Sequence, residues 1–153
     1  MPITFLSGKQ RPLRLFFACL FISLIVIIDV PVHAMGKKPI EAVNCDIHHN
    51  TCTQKLSETE VILDIRPKPI KAMRNLTFKV TLKGKQPLDA PYIDLGMPGM
   101  KMGPNRVLLQ SAGDNIYEGI GIIVRCPSGK RIWKATVTVP DMGSAEFVFD
   151  VIY

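Results

Sequence analysis

The sequence has little of what catalysis uses. Three histidines and four cysteines are scattered through 153 residues, and no Gly-rich phosphate loop, paired-carboxylate motif or Ser-centred nucleophile motif occurs. Aromatic residues make up 7% of the chain, with a single Trp. No basic helix interleaved with aromatics is present, which argues against nucleic acid as a partner. Sustained helical periodicity is missing as well. With 47% hydrophobic and 21% charged residues, the chain is too apolar for a disordered polypeptide and long enough for one core. These absences favour a small binding module over an enzyme.

The N-terminus carries a targeting signal. Lys9, Arg11 and Arg14 precede an uncharged, largely apolar run over residues 15–28, followed by Asp29, Pro31 and the small-residue end Val32-His33-Ala34. A run of 14 residues is shorter than the roughly 18 needed to cross a bilayer as a helix, so residues 1–34 read as a secretory signal peptide cleaved after Ala34. The competing reading is an uncleaved anchor in the inner membrane, oriented by its basic flank, which would be the chain's one attachment to a membrane. Both place residues 35–153 in the periplasm or otherwise outside the cytoplasm. That part has 16 Lys and Arg against 12 Asp and Glu, spread along the chain as on a solvated surface.

Cys19 lies in the apolar run, leaving Cys45, Cys52 and Cys126 in the exported part. An odd thiol remains in an oxidising compartment, where Cys45 and Cys52, closest in sequence, are the first candidates to pair. Either of them with Cys126 is the alternative. His48 and His49 lie between Cys45 and Cys52. Cys and His together resemble a metal site, but the spacing matches no zinc pattern, and neighbouring histidines point apart on an extended chain. They are weak metal-ligand candidates.

From Thr53 onward the pattern is period-2 alternation punctuated by Gly, Pro, Asn and Asp. Leu76, Phe78, Val80 and Leu82 alternate with Thr77, Lys79, Thr81 and Lys83. Trp133, Ala135, Val137 and Val139 do the same, and Trp133 is the expected core aromatic. Strands are predicted over 58–66, 75–83, 91–96, 105–111, 115–125, 131–139 and 145–153. The last has apolar residues on both faces, as for a central strand or an interface. Gly119 and Gly121 in the fifth suggest close backbone approach or a bulge. About seven short strands indicate an all-β fold, an immunoglobulin-like antiparallel β-sandwich over residues 56–153, preceded by an irregular Cys- and His-containing lead-in at 35–55. A closed barrel is the second choice.

The connection after the third strand reads Gly96-Met97-Pro98-Gly99-Met100-Lys101-Met102-Gly103-Pro104-Asn105, too rich in Gly and Pro for a regular strand. It holds three of the exported part's six Met. Thioethers are soft ligands suited to Cu(I) and do not form disulfides, so Met97, Met100 and Met102 are candidate copper ligands. With strands running alternately up and down, Met73, this loop and Cys126 fall at one end, making Cys126 a candidate fourth ligand and Met73 a weaker one. Met142 falls at the other end. Met is also an adaptable gap-filler, and the loop has two further readings, a core plug and an apolar docking surface.

The stretch from Gly96 to Pro104, the Gly113–Gly119 segment around Tyr117 and the Trp133 strand with Val137 and Val139 resemble the YtkA-like and FixH-like proteins, small exported or membrane-tethered bacterial β-sandwich domains. The resemblance spans residues 56–153. It implies an immunoglobulin-like sandwich associated with copper handling or with maturation of copper-containing oxidases, and it points to the loop methionines. FixH-like proteins keep a membrane helix whose features this chain does not match. The expectation is a non-enzymatic copper-binding or copper-transfer module whose partner is a copper-transporting or copper-containing envelope protein. The alternative is a structural or interaction domain that docks through the Met loop.

Overall fold

Period-2 alternation places every second side chain on one face of a strand, and an apolar face is stable only when another layer covers it. The computed structural model describes residues 42–153, and there the alternation becomes nine strands: β1 (Cys52–Leu56), β2 (Thr59–Arg66), β3 (Asn75–Lys83), β4 (Tyr92–Gly96), β5 (Arg106–Leu108), β6 (Gln110–Gly113), β7 (Ile116–Ile122), β8 (Ile132–Val139) and β9 (Gly143–Asp150). No helix occurs among the described residues. The signal or anchor expected at 1–34 and the first part of the lead-in lie outside them.

The strands form two antiparallel sheets, one ordered β1-β2-β3-β7-β6 and the other β5-β4-β8-β9. Their apolar faces supply a single core cluster. Leu76, Phe78, Val80 and Leu82 come from β3 and Trp133, Ala135, Val137 and Val139 from β8, with Phe147 and Phe149 from β9. Trp133 is fully buried, as the alternation predicts. Each of the Val, Leu and Phe side chains contributes about 1.5–3 kcal/mol on burial. The arrangement is compatible with a β-sandwich.

Three differences from the sequence expectation have local causes. The lead-in is not irregular to its end, because Cys52–Leu56 pairs in register with Thr59–Leu63 as edge strand β1. Its side chains are mostly polar, which hides an edge strand from a search for apolar alternation. The strand expected at 105–111 divides at Leu109, with β5 in one sheet and β6 in the other. This crossing depends on two glycines of β7, where a Cβ at Gly119 would stand 2.3 Å from the Leu108 carbonyl oxygen and one at Gly121 2.4 Å from Val107 Cγ2. Finally, β9 is an edge strand ending at Asp150. Its apolar outer residue Val148 is covered by the lead-in: the Asn44 and Cys45 amides donate to the Val148 carbonyl at 3.0 and 3.2 Å, and the Val148 amide donates to Asn44 Oδ1 at 2.8 Å. An edge paired this way is closed to another chain.

The Cys45–Cys52 disulfide is formed, leaving Cys126 as the free thiol among the described residues. The connections β2–β3, β4–β5 and β7–β8 meet at one end. Asn75 opposes Ile122, Gly96 opposes Lys134, the Met73 amide donates to the Ile123 carbonyl at 2.8 Å, and Asn105 Nδ2 donates to the Ile122 carbonyl at 3.2 Å.

Candidate functional site

The β4–β5 connection begins as a tight turn. Pro98 supplies a fixed φ and Gly99 the left-handed position, φ +68°. The Met100 amide donates to the Met97 carbonyl at 3.1 Å, and the two residues form an antiparallel bridge. Bridge partners project to the same side with Cβ atoms about 4.5–5.5 Å apart. Beyond the turn the side chains alternate, so Lys101 is exposed while Met100 and Met102 are half-buried against the core. Met97 is 4% exposed.

All three thioethers line one open groove of about 760 Å³, whose other walls include Asp94, Arg106 and Lys134. The cationic rim is paired. Arg106 Nε donates to Asp94 Oδ1 at 2.8 Å, and this hydrogen bond raises the guanidinium pKa above its ordinary value. Arg106 also lies over the Tyr92 ring at 4.1 Å. Lys134 Nζ is 2.9 Å from Glu146 Oε1.

Cys126 shares this end of the molecule but does not line the groove. It opens the turn closed by the Gly129 amide on the Cys126 carbonyl at 3.0 Å. Its own amide donates to the Tyr153 hydroxyl at 3.2 Å. The thiol is buried, with Sγ 3.0 Å from the Ser128 hydroxyl. Hydrogen bonds from the Ser128 side chain and then its backbone lower the thiol pKa below the ordinary value, against the opposing effect of burial. Met73 is 66% exposed, at a residue with φ +60°.

His48 and His49 are engaged elsewhere. The Ile70 amide donates to His48 Nδ1 at 3.0 Å, which requires that nitrogen to be an acceptor and leaves Nε2 as the donor to the Asp150 carbonyl at 3.1 Å. Both ring nitrogens are therefore used in clamping the disulfide loop to the sheet end. His49 is exposed, with Nδ1 3.0 Å from Asp46 Oδ1.

No family model, curated protein or solved structure matches this chain. Function must be read from the chemistry of the groove. Among the described residues no group of three or more His, Cys, Asp or Glu is placed to hold a metal ion. The groove's lining includes three neutral thioethers, which suit a soft monovalent cation, beside an Asp94 carboxylate paired with Arg106.

The structure thus gathers Met97, Met100 and Met102 in one groove, leaves Cys126 and Met73 outside it at the same end, and leaves His48 and His49 at the disulfide loop. Sequence reasoning missed Tyr153, whose hydroxyl carries the Cys126 connection. A tyrosine in an alternating apolar segment gives no signal that its hydroxyl will meet a loop 27 residues earlier.

Proposed function

We propose that residues 56–153 form an immunoglobulin-like sandwich of the YtkA-like and FixH-like kind, exported to the periplasm, that binds or transfers Cu(I) through Met97, Met100 and Met102 and has no enzymatic activity. The observation that supports this most is the Met97–Met100 bridge, which keeps two thioethers on one side of the turn while alternation brings Met102 to the same groove. Cys126 and Met73 are peripheral in this reading, since neither lines the groove. The recipient is a copper-transporting or copper-containing envelope protein. Residues 1–34 act as signal or anchor.

The test is thermal unfolding with and without Cu(I) under reducing conditions. A ligand at a hundred times its Kd stabilises by about 2.7 kcal/mol. Replacing Met97, Met100 and Met102 by Leu, which keeps volume and apolarity, should abolish the stabilisation and leave the fold. An undiminished copper effect in the triple variant rules the site out.

The second reading, an apolar docking surface, is favoured by the burial of Met97 and the packing of Met100 and Met102 on the core. Under it copper changes nothing, and Met100→Glu loses a partner recovered from envelope extract.

A further inference from the structure

The three connections at the Met-loop end, residues 67–74, 97–105 and 123–131, contain seven Lys and Arg and no Asp or Glu. The connections at the opposite end, 57–58, 84–91, 114–115 and 140–142, hold Glu58, Asp89, Asp114 and Asp141 against Lys85 alone. Charges that look evenly spread along the chain are sorted by folding into a basic pole and an acidic pole.

The carboxylates bordering the basic pole are each engaged by a neighbour: Glu118, which lines one groove with Ile120, lies 3.8 Å from Lys79 Nζ, and Asp46 of the disulfide loop lies 3.0 Å from His49 Nδ1. Asp64 pairs with Arg66 and with Lys68 at 2.8 and 3.1 Å, Asp150 with Arg131 at 3.2 Å, and Asp94 with Arg106. Lys71, Arg74, Lys101, Arg125 and Lys130 form no ion pair among the described residues. Beside them lie exposed aliphatic side chains. Ile120 and Ile122, 73% and 43% exposed, project from the outer face of β7, Val124 continues the row, and Met73 sits where its amide meets Ile123. Leu108 shares a shallow groove with Ile120. A soluble surface leaves single apolar residues exposed without consequence, whereas a row of them beside cations outside any ion pair has the composition of an interaction surface; of these cations Arg125 lies over the Tyr153 ring at 5.7 Å.

We propose that this pole docks on an anionic bilayer, with Lys71, Arg74 and Arg125 at the phosphates and Ile120, Ile122 and Met73 at the headgroup–acyl boundary. The charge complementarity selects the occupant. Aliphatic side chains among cations match an anionic lipid surface, whereas nucleic acid is bound through cations interleaved with stacking aromatics, and no exposed aromatic accompanies this row. The proposal does not rest on copper, though docking would hold the Met groove next to the membrane.

The experiment is co-sedimentation of the full chain with vesicles of phosphatidylcholine alone and of phosphatidylcholine containing phosphatidylglycerol. Two variants of equal net charge are compared. One neutralises the basic pole (Lys71→Gln, Arg74→Gln, Arg125→Gln), the other the opposite end (Lys55→Gln, Lys83→Gln, Lys85→Gln). The first should weaken binding to the anionic vesicles on the order of a hundredfold, from roughly tenfold or less per cation, with a shallower salt dependence. The second should retain binding. Neutral vesicles report whatever the apolar 15–28 segment contributes and should not distinguish the variants. Equal binding of the two triples to anionic vesicles overturns the proposal. So does a basic-pole triple that loses a DNA duplex while keeping the vesicles. Ile120→Ser with Ile122→Ser should also weaken vesicle binding, and unchanged affinity overturns the aliphatic contact.

Discussion

Trp133 donates its indole Nε1–H to the hydroxyl of Tyr153 at 3.2 Å. The same hydroxyl accepts the Cys126 amide at 3.2 Å and donates to the Lys130 carbonyl. One phenol therefore satisfies the only polar atom of the fully buried core indole and ties both flanks of the Cys126 turn to the core. The loop that brings Cys126 and Lys130 to the Met-loop end is held from beneath by hydrogen bonds to this one hydroxyl.

Tyr153→Phe keeps the ring and removes these hydrogen bonds. A buried donor left without an acceptor costs about 1–3 kcal/mol, so the variant should unfold at lower denaturant concentration with an unchanged slope. Trp133, the only Trp of the chain, reports the transition by its fluorescence. An unaltered midpoint would show that water replaces the phenol at no cost.

Gly119→Ala and Gly121→Ala place a methyl against the Leu108 carbonyl oxygen and the Val107 side chain. Overpacking of this kind costs about 1–3 kcal/mol or more. Gly119→Ala should be the worse of the two, since its obstacle is backbone and that of Gly121 is a side chain able to turn. Equilibrium unfolding of both variants checks the order, and the reverse order would mean that β5 is freer to move than its crossing suggests.

Asp64 supplies a pH dependence. Burial raises its carboxyl pKa, but hydrogen bonds from Arg66 and Lys68, together with their charges, outweigh burial and hold the pKa below its ordinary 3.8. A carboxyl whose folded pKa lies below the unfolded one adds stability that is complete above the unfolded value and is lost as pH falls through the folded one. Stability should hold near neutrality and decline below about pH 4. Asp64→Asn should cost about 1–3 kcal/mol at pH 7, with the gap from the parent closing in acid. A gap of constant size from pH 7 to pH 2 would remove Asp64 from this role.

The legible parts of the fold are those where one strand carries its own instruction. Residues 75–83 form β3 over the predicted span, and β8 begins one residue late, because alternation of Val, Phe, Leu and Trp with Thr and Lys specifies a half-buried strand without reference to anything distant. The disulfide was legible for a similar reason, since Cys45 and Cys52 are near neighbours. β1 was not, because an edge strand exposing Thr53 and Lys55 is defined by its partner β2. Nor did the sequence reveal the division at Leu109, as the apolar run Val107-Leu108-Leu109 crosses it without a turn residue and the change of sheet depends on space left by Gly119 and Gly121.

At the candidate site, composition alone singled out Met97, Met100 and Met102, and Pro98-Gly99 dictated the turn that pairs the first two. That Met97 packs against the core at the floor of the groove while Cys126 turns toward Ser128 and Tyr153 followed only from how the sheets meet. The sorting of charge into two poles is tertiary in the same sense. Antiparallel strands return the chain to the same end at every second connection, so cations tens of residues apart become neighbours.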